Sequence, residues 1–444
     1  MMNRKHFALL LALTASVVAS HTYAQNGINI PFSQYGTGFS SMPYSVPFAS
    51  QMGGVVYTRQ AANIINPFNP ASYAAIQPTS FVFNMGIGIE MSTFIDPSAS
   101  LYDADGNIAY LAMGFPLSKW WKTAIGILPL TTVSYESVQT QSDPVWGENK
   151  TSYEGVGGLT KVFWGHGFNI TDRLSVGLNA NFLFDHLSRA ITYHFPGNDS
   201  TYIMDARREK TTNIHNFTFD MGLQYTQPIG EDYTLLAGLT FIPHRIMDVT
   251  DNSLIYTFVT YAATEYIRDT IFPLPGQSGQ YTSTLEQPYT VGIGLALQRN
   301  DIWSLAFDAT YAPWSGLKYT ENEEYNIFGA SALRYGDNFR GAVGIQRLGD
   351  KNAQKYMRRV TYSGGFHYEM GKLQLQPVGS ELSRIDEWGI GFGMSLPMRK
   401  GRSVLDFSLN YSSMGSEDLL RRNYFIIGIG LGSSDTWFQK RKYN

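Results

Sequence analysis

The chain contains no cysteine, which removes disulfide frameworks, thiol nucleophiles and Cys-based zinc sites together. It is also poor in charge: 16% of its 444 residues are Asp, Glu, Lys or Arg, and a net charge of −3 offers no basic surface for nucleic acid. Beyond the first twenty-odd residues no window supplies 18 uncharged apolar residues, so helices are not expected to cross a membrane. His166, His186, His194, His215, His244 and His367 never fall in a His-x-x-x-His spacing that would suggest a metal. Asp185, His186 and Ser188 form a poor triad, because on a strand Asp185 and His186 face opposite sides. No catalytic residue, metal or cofactor is therefore expected.

What the chain does have is 14% aromatic residues and 43 glycines. The start, Arg4 and Lys5 followed by the apolar run from Phe7 to Ala19 and the small-residue site Thr22-Tyr23-Ala24, reads as a signal peptide over 1–24. From Phe81 onward, segments of ten residues or more alternate apolar with small or polar side chains. Leu174, Val176, Leu178, Ala180, Phe182 and Phe184 interleave with Ser175, Gly177, Asn179, Asn181, Leu183 and Asp185. Phe217, Phe219, Met221 and Leu223 do the same against Thr218, Asp220, Gly222 and Gln224.

Fourteen such segments occupy 80–434, and their connections alternate short and long. That is the pattern of an all-β, antiparallel transmembrane barrel with short periplasmic turns and long outer loops, both of its ends being periplasmic. A soluble all-β protein with one buried face is the rival. Against it, the apolar face recurs on every strand, and Trp120, Trp121, Tyr233, Trp303, Trp314 and Trp388 gather at strand ends, where membrane interfaces place aromatic rings.

Residues 25–79 lack alternation and are rich in Gly, Pro, Ser and Asn, yet carry apolar residues such as Ile28, Phe32, Val55, Val56 and Ile65 that favour burial. Folding back into the barrel as a plug would supply it. Gly389, Gly391 and Gly393, the pair Gly292 and Gly294, and the pair Gly428 and Gly430 each line one face of a strand, marking either close approach of another backbone or a bend. Inward acids (Asp185, Asp220, Asp308, Glu369, Asp406) and the basic Arg189 and Arg340 are expected to hold plug and wall together.

The plug ends in Asn69-Pro70-Ala71, inside Asn66-Pro67-Phe68-Asn69-Pro70-Ala71-Ser72-Tyr73-Ala74, after Gly36-x-Gly38 and Gly53-Gly54. This resembles the hatch of the FadL/TodX family of outer-membrane transporters for long-chain fatty acids and other hydrophobic compounds. The tail 435–444, with its basic Lys440-Arg441-Lys442, is similar to the ends of family members from the Bacteroidetes lineage and is read as a periplasmic end. The resemblance implies an outer-membrane location in a Gram-negative bacterium, contact with outer-membrane lipid, and passive uptake of a hydrophobic, fatty-acid-like small molecule. It also implies a hatch that moves and a lateral opening at a kink in the third strand.

Pro129, in Ala124-Ile125-Gly126-Ile127-Leu128-Pro129-Leu130, is the candidate kink, since proline cannot donate to the ladder and lies about eight residues in from Trp120-Trp121. A harmless bulge is the alternative, and Pro243 reaches a comparable depth on another strand. In the longest loop, Leu254, Ile255, Phe258, Val259 and Tyr266 fall at helical spacing, a stripe that either packs on neighbouring loops or receives an apolar ligand. A second functional class stays open: a barrel of this type used as a docking or scaffold component of a secretion or surface-attachment system, with a protein partner. Transport requires a continuous apolar path from the long loop to Pro129; docking does not.

Overall fold

The computed structural model describes residues 28–95, 100–143, 147–195, 204–261, 264–271, 279–316, 332–376, 382–398, 402–415 and 420–436. The expected signal peptide and the basic residues of the tail lie outside the described residues.

The strands, in chain order, are β1 (Ser80–Ile95), β2 (Ser100–Pro116), β3 (Trp121–Asp143), β4 (Gly147–Asn169), β5 (Leu174–His194), β6 (Asp205–Ile229) and β7 (Tyr233–Ile242). They continue with β8 (Arg245–Tyr261), β9 (Thr264–Ile271), β10 (Gln280–Gln287), β11 (Thr290–Arg299), β12 (Trp303–Ala312), β13 (Ala332–Tyr335) and β14 (Asn338–Arg347). The last are β15 (Thr361–Met370), β16 (Leu373–Gln376), β17 (Ser383–Arg384), β18 (Asp386–Pro397), β19 (Ser403–Gly415) and β20 (Arg421–Thr436).

Seventeen of these form one antiparallel sheet, which closes because β1 pairs with β20 as well as with β2. The sheet has fourteen staves: β7 and β8 are one stave broken at Pro243-His244, β10 and β11 are one broken at Pro288-Tyr289, and β9 is a return arm on β8. Proline explains both breaks, since it withholds a ladder donor. β13, β16 and β17 form a small separate sheet in the loops.

Alternation decides which way each side chain points. On β5, Asn179, Asn181 and Leu183 are buried while Leu178 is exposed; on β6, Thr218 and Asp220 are buried while Phe217, Phe219 and Met221 are exposed. An exposed apolar wall around a largely polar interior is what a bilayer selects, the reverse of a soluble sandwich. Aromatic rings bracket the wall: Trp120, Trp121 and Phe168 stack at the short-turn end, Tyr233 meets Trp303 there, and Trp388, Tyr411 and Phe425 cluster toward the long-loop end.

The long-loop side differs from expectation. Strands β3 to β6 run 21 to 25 residues, and at about 3.3 Å per residue they overshoot an apolar band of roughly 25 Å even when tilted. Stretches that read as loops, such as Gln139-Thr140-Gln141 and Arg207-Arg208-Glu209, are polar continuations of the ladder. The stripe expected as a helix is likewise strand. Leu254, Ile255, Phe258 and Val259 belong to β8 and Tyr266 to β9, with Val259 opposite Tyr266. Threonine, tyrosine and β-branched residues, in Tyr256-Thr257-Phe258-Val259-Thr260-Tyr261, favour strand over the 3.6-residue period.

Candidate functional site

The described N-terminal segment touches nearly the full circumference of the wall, so it lies inside the barrel. Pro47 packs on Gly86 of β1 and on Gly428 and Gly430 of β20; Met52 on Gly344 of β14 and Gly365 of β15; Tyr57 on Gly292 and Gly294 of β11; Pro70 on Gly177 of β5 and Gly222 of β6. Ser50 and Gln51 face Gly391 and Gly393 of β18. These glycines mark close approach rather than a bend. Gly389 is the exception, as its inward side meets His367 and Ser412 of the wall itself.

Polar groups fix that packing. Asp308 accepts from the backbone N–H of Val56 (2.6 Å) and of Tyr57 (2.9 Å), while Arg340 donates to the Gly54 carbonyl at 2.9 Å. Arg189 donates to the Gly36 carbonyl at 2.5 Å. Asp220 pairs with Lys161 of the wall at 3.1 Å instead, and Asp185, in a positive-φ conformation, contacts Thr160 and His186 and does not reach the N-terminal segment. An unpaired buried donor or acceptor costs about 1–3 kcal/mol, so these ties specify one seating of the segment.

Asn69 and Ala71 are fully buried, and Pro70 between them is buried. Asn69 caps the short 3-10 helix Pro70–Ala75: its Oδ1 accepts from the Ala71 N–H at 3.2 Å while its Nδ2 donates to the Tyr57 carbonyl at 2.8 Å. Pro70 starts the helix where a missing N–H is harmless. From that helix Tyr73 donates to Asn179 of β5 at 3.1 Å, and it joins Ile65, Ile76 and Leu128 in one buried apolar cluster. The Asn-Pro-Ala turn thus ends the interior segment against β5 and β6, and the cluster it joins reaches the residue before Pro129.

At Pro129 the register against β4 slips: Pro129 opposes Thr160, but Thr131 opposes Leu159, leaving Leu130 as the extra residue. A bulge of one residue flips every side chain beyond it. Accordingly the buried positions are Ala124 and Leu128 before it, and Val133 and Tyr135 after it. The other edge of β3 changes at the same place. β2 and β3 are paired only from Leu111 opposite Ile127 to Pro116 opposite Lys122, and from there toward the long-loop end they part.

The N-terminal segment occupies the parted edge. Phe39 and Thr132 exchange backbone hydrogen bonds of 2.9 and 2.8 Å, the Ile30 N–H donates to the Ser134 carbonyl at 2.6 Å, and Thr131 Oγ1 donates to the Thr37 carbonyl at 2.5 Å. Asn29 bridges the two sides of the gap, its N–H donating to Asp103 of β2 and its Nδ2 to the Glu136 carbonyl of β3, both at 2.7 Å. Arg422, fully buried, backs the seal: its guanidinium lies 5.0 Å from the Phe39 ring, 5.6 Å from Phe94 and 4.4 Å from Tyr424, and it is ion-paired with Glu90. In the loop sheet at the mouth, burial lowers Lys372 to about 8 while its ammonium sits 4.0 Å from the Trp314 ring.

A second apolar cluster lies on the interior faces of the tall strands: Val133 and Tyr135 of β3, Leu159 of β4, Leu183 and Leu187 of β5, Ile214 of β6, and Met247 and Val249 of β8. Leu130 packs against both this cluster and the one holding Tyr73. Higher on β8, Phe258 is buried and its ring lies 5.8 Å from that of Tyr256; both fall on the face opposite Met247 and Val249. Ile255 and Val259 fall on the face of β8 that carries Met247 and Val249, and Tyr266 is exposed. Sequence reasoning missed this cluster and the seal. Leu183 and Leu187, apolar at positions where a lumen face should be polar, were its visible signal.

The fold is shared with proteins of distant sequence. The toluene transporter TbuX of Ralstonia pickettii is 13% identical, with 91% of this chain and 99% of that chain covered at a TM-score of 0.53. The CymD monoaromatic hydrocarbon channel is 14% identical, with 88% and 97% covered at 0.52. The Pseudomonas putida toluene transporter TodX is 14% identical, with 88% and 97% covered at 0.51. No curated protein matches the chain. A family model described as BamG matches residues 2–444, and the chain therefore belongs to the BamG family.

Proposed function

We propose that the chain is an outer-membrane conduit through which hydrophobic small molecules, fatty-acid-like chains among them, diffuse inward and leave sideways between β2 and β3. The observation that carries the reading is the interior apolar cluster from Val249 and Met247 through Leu187 and Leu183 to Val133 and Leu130, because it ends at the bulge where the wall parts. Proteins of the same fold are named as channels or transporters for toluene and monoaromatic hydrocarbons, cargo of matching character. Molecules enter past the β8–β9 arm, where Ile255 and Val259 continue the face of Met247 and Val249. Residues 29–39 act as the stopper, with the short turns on the periplasmic side. Diffusion down a gradient needs no cofactor and no catalytic group.

The chain lacks cysteine, so a lock can be built cleanly. Phe39 and Thr132 face each other as a bridge pair, and such pairs have Cα separations of about 4.5–5.5 Å, within disulfide reach. Phe39→Cys with Thr132→Cys, oxidised in the outer membrane, is expected to halt uptake of a fluorescent long-chain fatty acid, and reductant to restore it. Unchanged uptake in the oxidised form would overturn lateral release.

The docking reading is favoured by one observation: Tyr261, Tyr266, Ile267 and Ile271 of the β8–β9 arm are exposed together. A protein partner recovered in stoichiometric amount, and lost on shortening that arm while uptake persists, would support it.

A further inference from the structure

The register of β12, β14, β15 and β18 places outward side chains in rows. One row runs Leu305, Ile345, Gly364 and Phe392; the next toward the short turns runs Trp303, Arg347, Tyr362 and Met394. Ile345 and Phe392 are exposed, and Gly364 between them has no side chain to fill the row. The outer wall is accordingly indented there, with a depression of about 490 Å³ bordered by Trp303, Ile345 and Arg347 and continuing over Tyr362, Gly364 and Phe392.

Arg347 is exposed on this lipid-facing row, between Trp303 and Tyr362, and has no carboxylate partner among the described residues. Directly below it the turn between β14 and β15 exposes Lys351, Lys355 and Arg358, likewise without carboxylate partners among the described residues, against the single acid Asp350. A guanidinium kept in an aromatic belt beside apolar wall needs an anion that belongs to the membrane. Planar, forked donors suit phosphate.

We propose that this indentation is a binding site for one anionic phospholipid of the leaflet at the short-turn end. An acyl chain lies over Gly364 between Ile345 and Phe392, the phosphate rests on Arg347, and the net negative charge of the headgroup is met by Lys351, Lys355 and Arg358. The site rests on the membrane reading above but not on transport. It favours lipid over free phosphate because the body of the indentation is apolar. It favours lipid over a protein partner because Arg347 lies within the wall.

The test uses full-length protein purified in detergent and stripped of lipid, then mixed with dioleoyl phosphatidylglycerol or dioleoyl phosphatidylcholine and weighed by native mass spectrometry. One phosphatidylglycerol should be retained about tenfold better than phosphatidylcholine, the weight of one charge-assisted contact. Lys351→Gln with Lys355→Gln and Arg358→Gln should erase the preference, whereas Arg347→Gln, which removes the phosphate contact, and Gly364→Val, which fills the notch, should each lower retention of both lipids. Arg173→Gln, at a different turn, should change neither. Equal retention of the two lipids by the native chain, or undiminished retention of both in Arg347→Gln, would overturn the site; displacement by millimolar inorganic phosphate alone would reduce it to an anion site. Heat-modifiable gel mobility reports whether each variant is a folded barrel. A chain that stays soluble without detergent would instead refute the membrane reading itself.

Discussion

Strand β3 has two edges, and they behave differently. Toward β4 the ladder runs from Trp121 opposite Phe168 to Asp143 opposite Gly147, with one bulge; toward β2 it stops after Ile127. The same backbone therefore carries a continuous wall on one side and a seam on the other. Above the seam its backbone donors and acceptors are met by Ile30, Ser33 and Phe39, in a segment tied down largely by hydrogen bonds and one caged arginine. Far from the seam, at β14, β15 and β18, the interior segment meets glycine backbone directly. Hydrogen bonds across an open edge are expected to loosen before backbone packed on a continuous ladder does.

The strongest way to break that comparison is to remove the segment. Deletion of 25–74 empties the lumen and bares the β3 edge; the barrel should still fold, and its conductance for small hydrophilic ions in planar bilayers should rise steeply. Conductance equal to that of the intact chain would show that the segment does not block the lumen.

Arg422→Ala separates the two sides. It removes a fully buried guanidinium and leaves the half-buried Glu90 without its partner, a loss of about 1–3 kcal/mol. Hydrogen exchange should then quicken at the amides of Ile30 and Phe39 and stay slow at those of Val56 and Tyr57, which bond to Asp308. Uniform loss of protection would mean that the segment moves as a single block.

The smallest effect comes from two adjacent glycines of β15. A Cβ on Gly365 would lie 2.3 Å from the Met52 carbonyl carbon, whereas one on Gly364 would meet nothing nearer than 3.6 Å. Gly365→Ala should lower the unfolding midpoint by the equivalent of about 1–3 kcal/mol, and Gly364→Ala by no more than about 0.5 kcal/mol. Equal effects would remove the claim of backbone contact at the closed side.

The alternation of Leu174 to Phe184 and of Phe217 to Leu223 was enough to number the staves and assign their faces, because a two-residue period has only two outcomes per strand. Asn69-Pro70-Ala71 was legible only as the end of the plug, through its resemblance to a family hatch; that it is a cap followed by a proline-started turn was seen only in the structure. The lengths of β3 to β6 were not legible: outside the membrane both faces are polar, and polar strand resembles polar loop. The stripe from Leu254 to Tyr266 was misread because five apolar positions fit a helical period by chance, while pairing with β6 and β9 set the conformation.

By itself the sequence determined which side chains of the staves face lipid and which face inward, and that the staves close as a barrel, for these follow from periodicity and composition. Only the tertiary structure decided that β2 leaves β3 after Ile127, that residues 29–39 take its place, and that Arg422 backs Phe39 across hundreds of residues of chain. Those outcomes depend on which backbone reaches an open edge first, and nothing local in the chain encodes the competition.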